Sequence, residues 1–293
     1  MGFAAYAAVA RAPFLLLPIT LVAAGTGAAI HLGQQDWAHA GLALLGLLGV
    51  HITVNALNEA SDFRSGIDLN TERTPFSGGS GTLPAGLLSY RKAVAIGLTG
   101  GAIGIAVGIY FLTVVGTQLV PVLAVGALAA FGYSGILGRA YVGELFAGLG
   151  LGALPVVATT LVQTGTYEPV AIAASLPAFF MTFNLLLLNE FPDEEADRTG
   201  GRKNLVLLLG RKVTAWVYVL LAILVPVSLI AGVALKTLPS LTLAAIAPTL
   251  LLVPVFRWAL TRPEEPVPIP GLGSNVIWNL STNTVLAVAL ALS

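Results

Sequence analysis

The chain has 293 residues, of which 56% are hydrophobic and 10% charged, and its formal net charge is zero. Soluble domains carry roughly 25% charged residues, so a water-exposed globular surface is excluded, and the balanced charge offers nucleic acid no basic face. With no cysteine, disulfides, thiolate metal sites and cysteine nucleophiles are excluded as well.

Apolar runs close to 20 residues recur along the chain, about the length a helix needs to cross the hydrocarbon core. They are continuous rather than alternating, which predicts an all-α integral membrane protein and not a barrel. Spans are predicted over 13–31, 40–58, 93–114, 118–137, 144–163, 169–190, 213–235, 239–259 and 273–292, a bundle of about nine helices forming one domain over 1–293. The first reads as a spanning helix rather than a cleaved signal, because its apolar run is long and no small-residue cleavage site precedes the next polar segment. Between the spans lie two long polar segments, 59–92 and 191–212, and shorter links at 138–143 and 260–272.

Nine spans place the N-terminus on the same side as all four of those segments. Of the 14 Lys and Arg residues, 13 then fall on that side and only Lys236 on the other. The positive-inside rule predicts a cytoplasmic N-terminus and an outer C-terminus, in a multi-pass protein of the cell membrane. Acidic residues follow the same bias: twelve of 14 share that face, with Asp36 and Glu168 the exceptions. Dense carboxylates are not required by topology, so this cytoplasmic face is where chemistry is expected.

Two acidic clusters stand out. The first runs from Asn58 to Asp68, where the second span leaves the membrane, and His51, Asn55, Asn58 and Asp62 form one helical stripe. The second runs from Asn189 to Asp197 at the end of the sixth span. There Asn189, Asp193 and Asp197 recur every four residues, although Pro192 can bend the helix between them. Asn58, Asp62 and Asp68 with Asn189, Asp193 and Asp197 are hard oxygen ligands suited to Mg²⁺, which is commonly held by a few carboxylates plus substrate phosphates. The plainer account of either cluster alone is a solvated helix end. Two of the same form, in a chain with so few charges, favour a shared site for one diphosphate.

On these residues the chain resembles the UbiA superfamily of intramembrane prenyltransferases. Asn58 to Asp68 looks like the first aspartate-rich motif of that superfamily, and Asp193 with Asp197 looks like the second. Within it, the 1,4-dihydroxy-2-naphthoate prenyltransferases of menaquinone synthesis are most similar. They share the spacing of Asn58, Asp62, Phe63, Gly66 and Asp68, a segment like Tyr133-Ser134 followed by Arg139, Tyr141, Gly143 and Glu144, and the run from Gly201 to Leu205. Departures are Glu59, Glu190 and Pro192, and the segment 74–81, which differs from the usual naphthoate pattern. The resemblance implies Mg²⁺ as cofactor, and an isoprenyl diphosphate and an aromatic or lipid acceptor as partners, within membrane lipid. It implies catalytic roles for Asp62, Asp68, Asp193 and Asp197.

Arg11, Arg73, Arg139 and Lys203 are the candidates for diphosphate oxygens, Arg by forked hydrogen bonds and Lys as a point charge. Ordinary topology would also put basic residues there. His51, Asn55, Tyr133, Tyr141 and Glu144 are candidates to face the acceptor or an allylic cation, with packing or interfacial anchoring as the alternative. The glycines of 74–86 read as a lid or turn before a phosphate cradle. Asn275, Asn279 and Asn283 form a stripe expected to bond between helices. Other readings are the same fold acting on a glycerol-phosphate lipid or a tetrapyrrole, a membrane transporter, and a non-catalytic scaffold.

Overall fold

The computed structural model describes residues 2–71, 73–133 and 135–293, so Ser134 of the segment singled out above lies outside the described residues. Every regular element among the described residues is helical. The main rods are α1 (Leu16–His31), α2 (Trp37–Ser65), α3 (Tyr90–Val115) and α4 (Val120–Gly132). They continue with α5 (Gly143–Thr164), α6 (Pro169–Glu190), α7 (Arg211–Ala234), α8 (Ser240–Thr261) and α9 (Ile269–Ala291). Short helices at Ile67–Asn70, Glu194–Thr199 and Leu205–Leu209 fill the polar segments.

Seven helical stretches among the described residues are long and apolar enough to cross a membrane. They differ from the nine expected spans in two places. Tyr90–Gly132 is one such stretch, yet Gly116, with φ of 72°, interrupts it. The chain then folds back, so that Gly108 packs against Leu123 and Gly101 against Phe131. The other difference is α9, whose buried Asn275, Asn279 and Asn283 interrupt its apolar surface. Outward-facing Ile105, Ile109, Leu220, Ile230 and Leu250 are all exposed, which suits a multi-pass protein with hydrocarbon as its solvent.

Glycine contacts set the close helix packing, since association within lipid gains from short backbone approach rather than from hydrophobic driving force. A Cβ at Gly49 would lie 2.5 Å from the carbonyl oxygen of Gly100, and one at Gly27 would lie 2.5 Å from that of Ala287. Thus α2 is drawn onto α3, and α1 onto α9. The Thr53 hydroxyl reinforces the first pair by donating to the Gly97 carbonyl at 3.0 Å. On the far side of the bundle, the Tyr218 hydroxyl donates to Asn275 Oδ1 at 2.9 Å, and Asn184 Nδ2 donates to the Tyr218 carbonyl at 2.9 Å. Asn275 Nδ2 donates to the Asn184 carbonyl at 3.2 Å, so α6, α7 and α9 are tied by one polar knot. Interhelical bonding was the expectation for Asn275; Asn283 instead bonds within α9, donating to Asn279 Oδ1 at 2.8 Å.

Candidate active site

Two helix ends build the site. Gly66, with φ of 83°, ends α2 in the left-handed conformation that closes many helices. The chain reverses there, and the short helix Ile67–Asn70 brings Asp68 back beside the last turns of α2. On the other side, α6 stops at Glu190, and Pro192 separates it from the helix Glu194–Thr199. The continuous face expected for Asn189, Asp193 and Asp197 is therefore a helix end, a turn and a second short helix. All six expected ligands, Asn58, Asp62, Asp68, Asn189, Asp193 and Asp197, nevertheless line one cavity of about 160 Å³.

A guanidinium joins the two clusters. Arg202 Nη2 donates to Asn58 Oδ1 at 2.6 Å and to Asp62 Oδ1 at 2.8 Å, while Nη1 lies 3.8 Å from Asp197 Oδ1. Its Cζ also stands 5.9 Å from the centre of the Tyr133 ring. Burial alone would lower the basicity of this side chain, but the carboxylates of Asp62, Asp197 and Glu190 outweigh that and hold it charged. Sequence reasoning passed over Arg202. The available signal was its place directly after the second acidic cluster, in the run Gly201-Arg202-Lys203.

The glycine segment is part of the site rather than a free lid. Gly78 N–H donates to Asp193 Oδ2 at 3.3 Å. Gly79, at φ of 70°, sits so close that a Cβ there would lie 2.7 Å from Asp68 Oδ1. One tight turn thus touches both clusters. Glu59 holds it: fully buried, this carboxylate accepts the Ser80 N–H at 3.1 Å and the Ser80 hydroxyl. The departure from the family motif at Glu59 therefore has a structural reading, a longer carboxylate that reaches the loop.

The cationic candidates divide. Arg11 lines the cavity and adopts φ of 50°, while Asn55 Nδ2 donates to the neighbouring Ala10 carbonyl at 3.0 Å. Asn55 thereby fixes the turn that presents Arg11. Arg73, Arg139 and Lys203 are exposed and do not line the cavity. Arg73 Nη2 donates to the Asp68 carbonyl at 3.2 Å, and Lys203 Nζ stands 5.5 Å from the centre of the Tyr141 ring. His51, Asn55 and Tyr133 line the cavity, and His51 Nε2 has no hydrogen-bond partner among the described residues. Tyr141 and Glu144 lie outside its lining. Glu144 accepts the Leu205 N–H at 2.7 Å.

Among the described residues no three His, Cys, Asp or Glu side chains converge as a ready metal site. The donor set still fits a hard cation. Among the described residues, buried oxygens of Asp68 (Oδ2), Asp193 (Oδ1) and Asp197 (Oδ1) have no hydrogen-bond partner, and all three residues line the cavity. Burial, reinforced by the negative charges of Asp62 and Glu59, pushes the Asp68 carboxyl up to about 7, against the pull of Arg11 and Arg73.

The structure is thus a membrane-type helical bundle whose two acidic helix ends face each other across an arginine. The chain belongs to the UbiA prenyltransferase family, whose model matches residues 16–269. It is 29% identical over 172 residues to a 1,4-dihydroxy-2-naphthoate octaprenyltransferase of Bacillus subtilis, a match covering 58% of this chain. The chain spans about half the length of that relative, 54%. Against the protein of the same name from Mycobacterium tuberculosis it is 28% identical over 220 residues, with 74% of each chain covered. Among solved structures, a UbiA homolog from Archaeoglobus fulgidus bound to GPP and Mg²⁺ superposes with a TM-score of 0.68 at 17% identity, covering 99% of this chain and 100% of that one.

Proposed function

We propose that this protein transfers a prenyl chain from an isoprenyl diphosphate to an aromatic quinone precursor of the dihydroxynaphthoate kind, in a Mg²⁺-dependent reaction. The observation that carries this reading is the convergence of both acidic clusters on one cavity, with buried carboxylate oxygens of Asp68, Asp193 and Asp197 that accept no hydrogen bond among the described residues. The names of the two curated relatives support the acceptor class. In this reading the bundle crosses the cell membrane nine times, surrounded by lipid, with the N-terminus and the cavity mouth on the cytoplasmic side.

Asn58, Asp62, Asp68, Asn189, Asp193 and Asp197 would hold Mg²⁺, with Arg202 ceding part of its hold on Asp62. Bound there, the cation would neutralise charge developing on the departing diphosphate. Arg11 and Arg202 complete that neutralisation from the cavity wall, and Arg73, Arg139 and Lys203 draw the anionic head to the mouth. The allylic C–O bond breaks and its electron pair leaves with the diphosphate. An electron-rich acceptor carbon bonds to the allylic carbon, and the ring regains aromaticity by losing a proton, or carbon dioxide from a naphthoate. His51 Nε2 orients the acceptor, and the Tyr133 ring flanks the cation. Asn55 acts at one remove by holding Arg11. Tyr141 and Glu144 brace Lys203 and the start of the helix Leu205–Leu209.

The test is diphosphate release by purified protein given Mg²⁺, geranylgeranyl diphosphate and dihydroxynaphthoate. Prenylated naphthoquinol is expected, and Asp62→Asn and Asp193→Asn should abolish it while the protein still inserts in membrane. Wild-type turnover in both variants would sink the metal assignment. Diphosphate release without a naphthoquinol product would keep the transferase and discard the acceptor.

A further inference from the structure

The turn that carries Asp193 has little support of its own. Pro192 has no N–H to give, and the Asp193 side chain does not cap the helix Glu194–Thr199 that follows it. One carboxylate oxygen accepts the long bond from Gly78 N–H, and the other accepts none among the described residues. The groups that hold this turn lie outside it, and Arg211 gathers them.

Arg211 opens α7, the wrong end of a helix for a cation, because the macrodipole is positive there. Its acceptors compensate. Nη1 donates to the Phe191 carbonyl at 3.2 Å and to Glu194 Oε2 at 3.0 Å, on either side of Pro192 and Asp193. Nε donates to the Pro263 carbonyl at 3.1 Å and Nη2 to that of Glu265 at 2.9 Å, both in the link between α8 and α9. Cζ stands 5.2 Å from the centre of the Phe191 ring. Nearly every N–H of the guanidinium is spent, and only a planar fork reaches all of these acceptors; a lysine ammonium is a point charge. A surface ion pair with Glu194 would need neither the three carbonyls nor the ring.

The link is itself fixed. Pro263, Pro266 and Pro268 restrict its backbone. Trp258 Nε1 donates to the same Glu265 carbonyl at 3.0 Å, and Val267 is buried in the core that holds Phe191, Trp258 and Leu272. Trp258 meets Phe191 edge to face, with ring centres 5.0 Å apart. Just beyond the link, Phe76 lines the catalytic cavity and packs on α9, where a Cβ at Gly273 would lie 3.3 Å from its ring. The link and the first turns of α9 therefore back both the Asp193 turn and the glycine turn.

We propose that Arg211 is a positioning residue for Asp193, aiming its carboxylate into the cavity by tying Phe191 and Glu194 to the link between α8 and α9. The inference rests on the prenyltransferase reading, in which Asp193 holds Mg²⁺, and adds what fixes that ligand. It makes the link, which contributes no residue to the cavity lining before α9, part of the machinery that sets metal affinity.

The test is Mn²⁺ binding by purified protein, read by electron paramagnetic resonance, with Mn²⁺ as the hard-cation probe for Mg²⁺. Arg211→Lys should bind Mn²⁺ about tenfold or more weakly, the usual loss when a partner behind a metal ligand is removed. Saturating Mn²⁺ should still fill it to the wild-type stoichiometry, which marks a displaced ligand rather than an unfolded fraction. Arg198→Gln, which removes the other arginine on Glu194 without touching the link, should bind as wild type does. Wild-type affinity in Arg211→Lys, or reduced stoichiometry at unchanged affinity, overturns the proposal.

A second measurement needs no variant. In wild type, Mg²⁺ with inorganic pyrophosphate should slow amide hydrogen exchange at 193–197 and also in the link, at 262–267. Protection at 193–197 with none at 262–267 overturns the proposal alone. If wild type binds no Mn²⁺ at all, the metal-dependent reading itself has failed and this inference falls with it.

Discussion

Arg202 touches both acidic clusters at once: its Nη2 lies 2.8 Å from Asp62 Oδ1, and its Nη1 lies 3.8 Å from Asp197 Oδ1. These carboxylates come from separate helix ends, α2 and the helix Glu194–Thr199. Its guanidinium therefore bridges the two walls of the cavity and, with that of Arg11, offsets the repulsion between them. In the proposed reaction Arg202 would share Asp62 with a bound metal ion and would become a partner for the negative charge of the diphosphate.

Removing it should expose that double role. Arg202→Ala leaves Asp62 and Asp197 buried without their counter-charge, and breaking such a pair typically costs about 3 kcal/mol or more. Thermal unfolding in detergent should show a lower Tm for the variant without Mg²⁺, and a larger recovery than wild type when Mg²⁺ is added. Donor KM should rise as well. Equal Mg²⁺ stabilisation of variant and wild type would remove Arg202 from this electrostatic role.

Gly79 and Gly86 allow the loop to be tested with a built-in control. Both have positive φ, 70° and 68°, so alanine costs each about 1 kcal/mol of backbone strain. Only at Gly79 would the new Cβ meet a functional group, 2.7 Å from Asp68 Oδ1; at Gly86 it meets nothing within 4 Å. Gly79→Ala should lower kcat/KM by about tenfold or more through displacement of Asp68, the rough scale of a misplaced catalytic group. Gly86→Ala should lose stability with little change in turnover. Paired kinetics and melting curves separate the two outcomes.

Much of this site was legible because helical spacing is strict. Asn58 and Asp62 lie four apart in an otherwise apolar helix, and such a stripe has only one plausible face. Asp193 and Asp197 were also found, although Pro192 makes them neighbours by a turn and a new helix rather than by one continuous face. Arg202 was overlooked despite its place after the second acidic cluster, because a positive-inside bias gives every Lys and Arg on that face the same ordinary explanation. Arg139 and Lys203 illustrate the converse, as basic residues in suggestive positions that do not line the cavity. The contacts of Gly79 with Asp68 and of Gly78 with Asp193, the latter across α3 to α6, are tertiary, and a glycine run alone reads only as a turn. The separate apolar runs 93–114 and 118–137 mark a break between two helices, and the structure adds what the runs do not carry, the turn at Gly116 and the packing of Gly101 on Phe131.

Glu59 is expected to tune the loop rather than hold metal. Its carboxylate is occupied by the Ser80 N–H and hydroxyl, and it does not line the cavity. Glu59→Asp withdraws the carboxylate by one methylene and should slacken the turn that carries Gly78 and Gly79. Donor KM should rise several-fold while the Mg²⁺ concentration for half-maximal activity stays unchanged. A large shift in the Mg²⁺ requirement would instead make Glu59 a ligand.

Asp68 predicts opposite pH trends with and without metal. In the folded, metal-free protein its carboxyl titrates at about 7, raised from a model-compound value of 3.8. Between those two values the folded state binds more protons at this site than the unfolded state does. Linkage then makes the metal-free protein lose stability as pH rises from about 4 to about 7, with no further contribution from Asp68 above that. Mg²⁺ needs the carboxylate, so its binding must expel the proton, and affinity should weaken by up to about tenfold per pH unit below 7. Melting curves across this range should therefore show Mg²⁺ stabilisation growing with pH as far as about 7. Asp68→Asn should make both trends shallower without abolishing them, because burial also pushes Asp193 up to about 6 and Asp197 up to about 7. A wild-type Mg²⁺ response that is the same at pH 5.5 and 7.5 would separate Asp68 from the cation altogether.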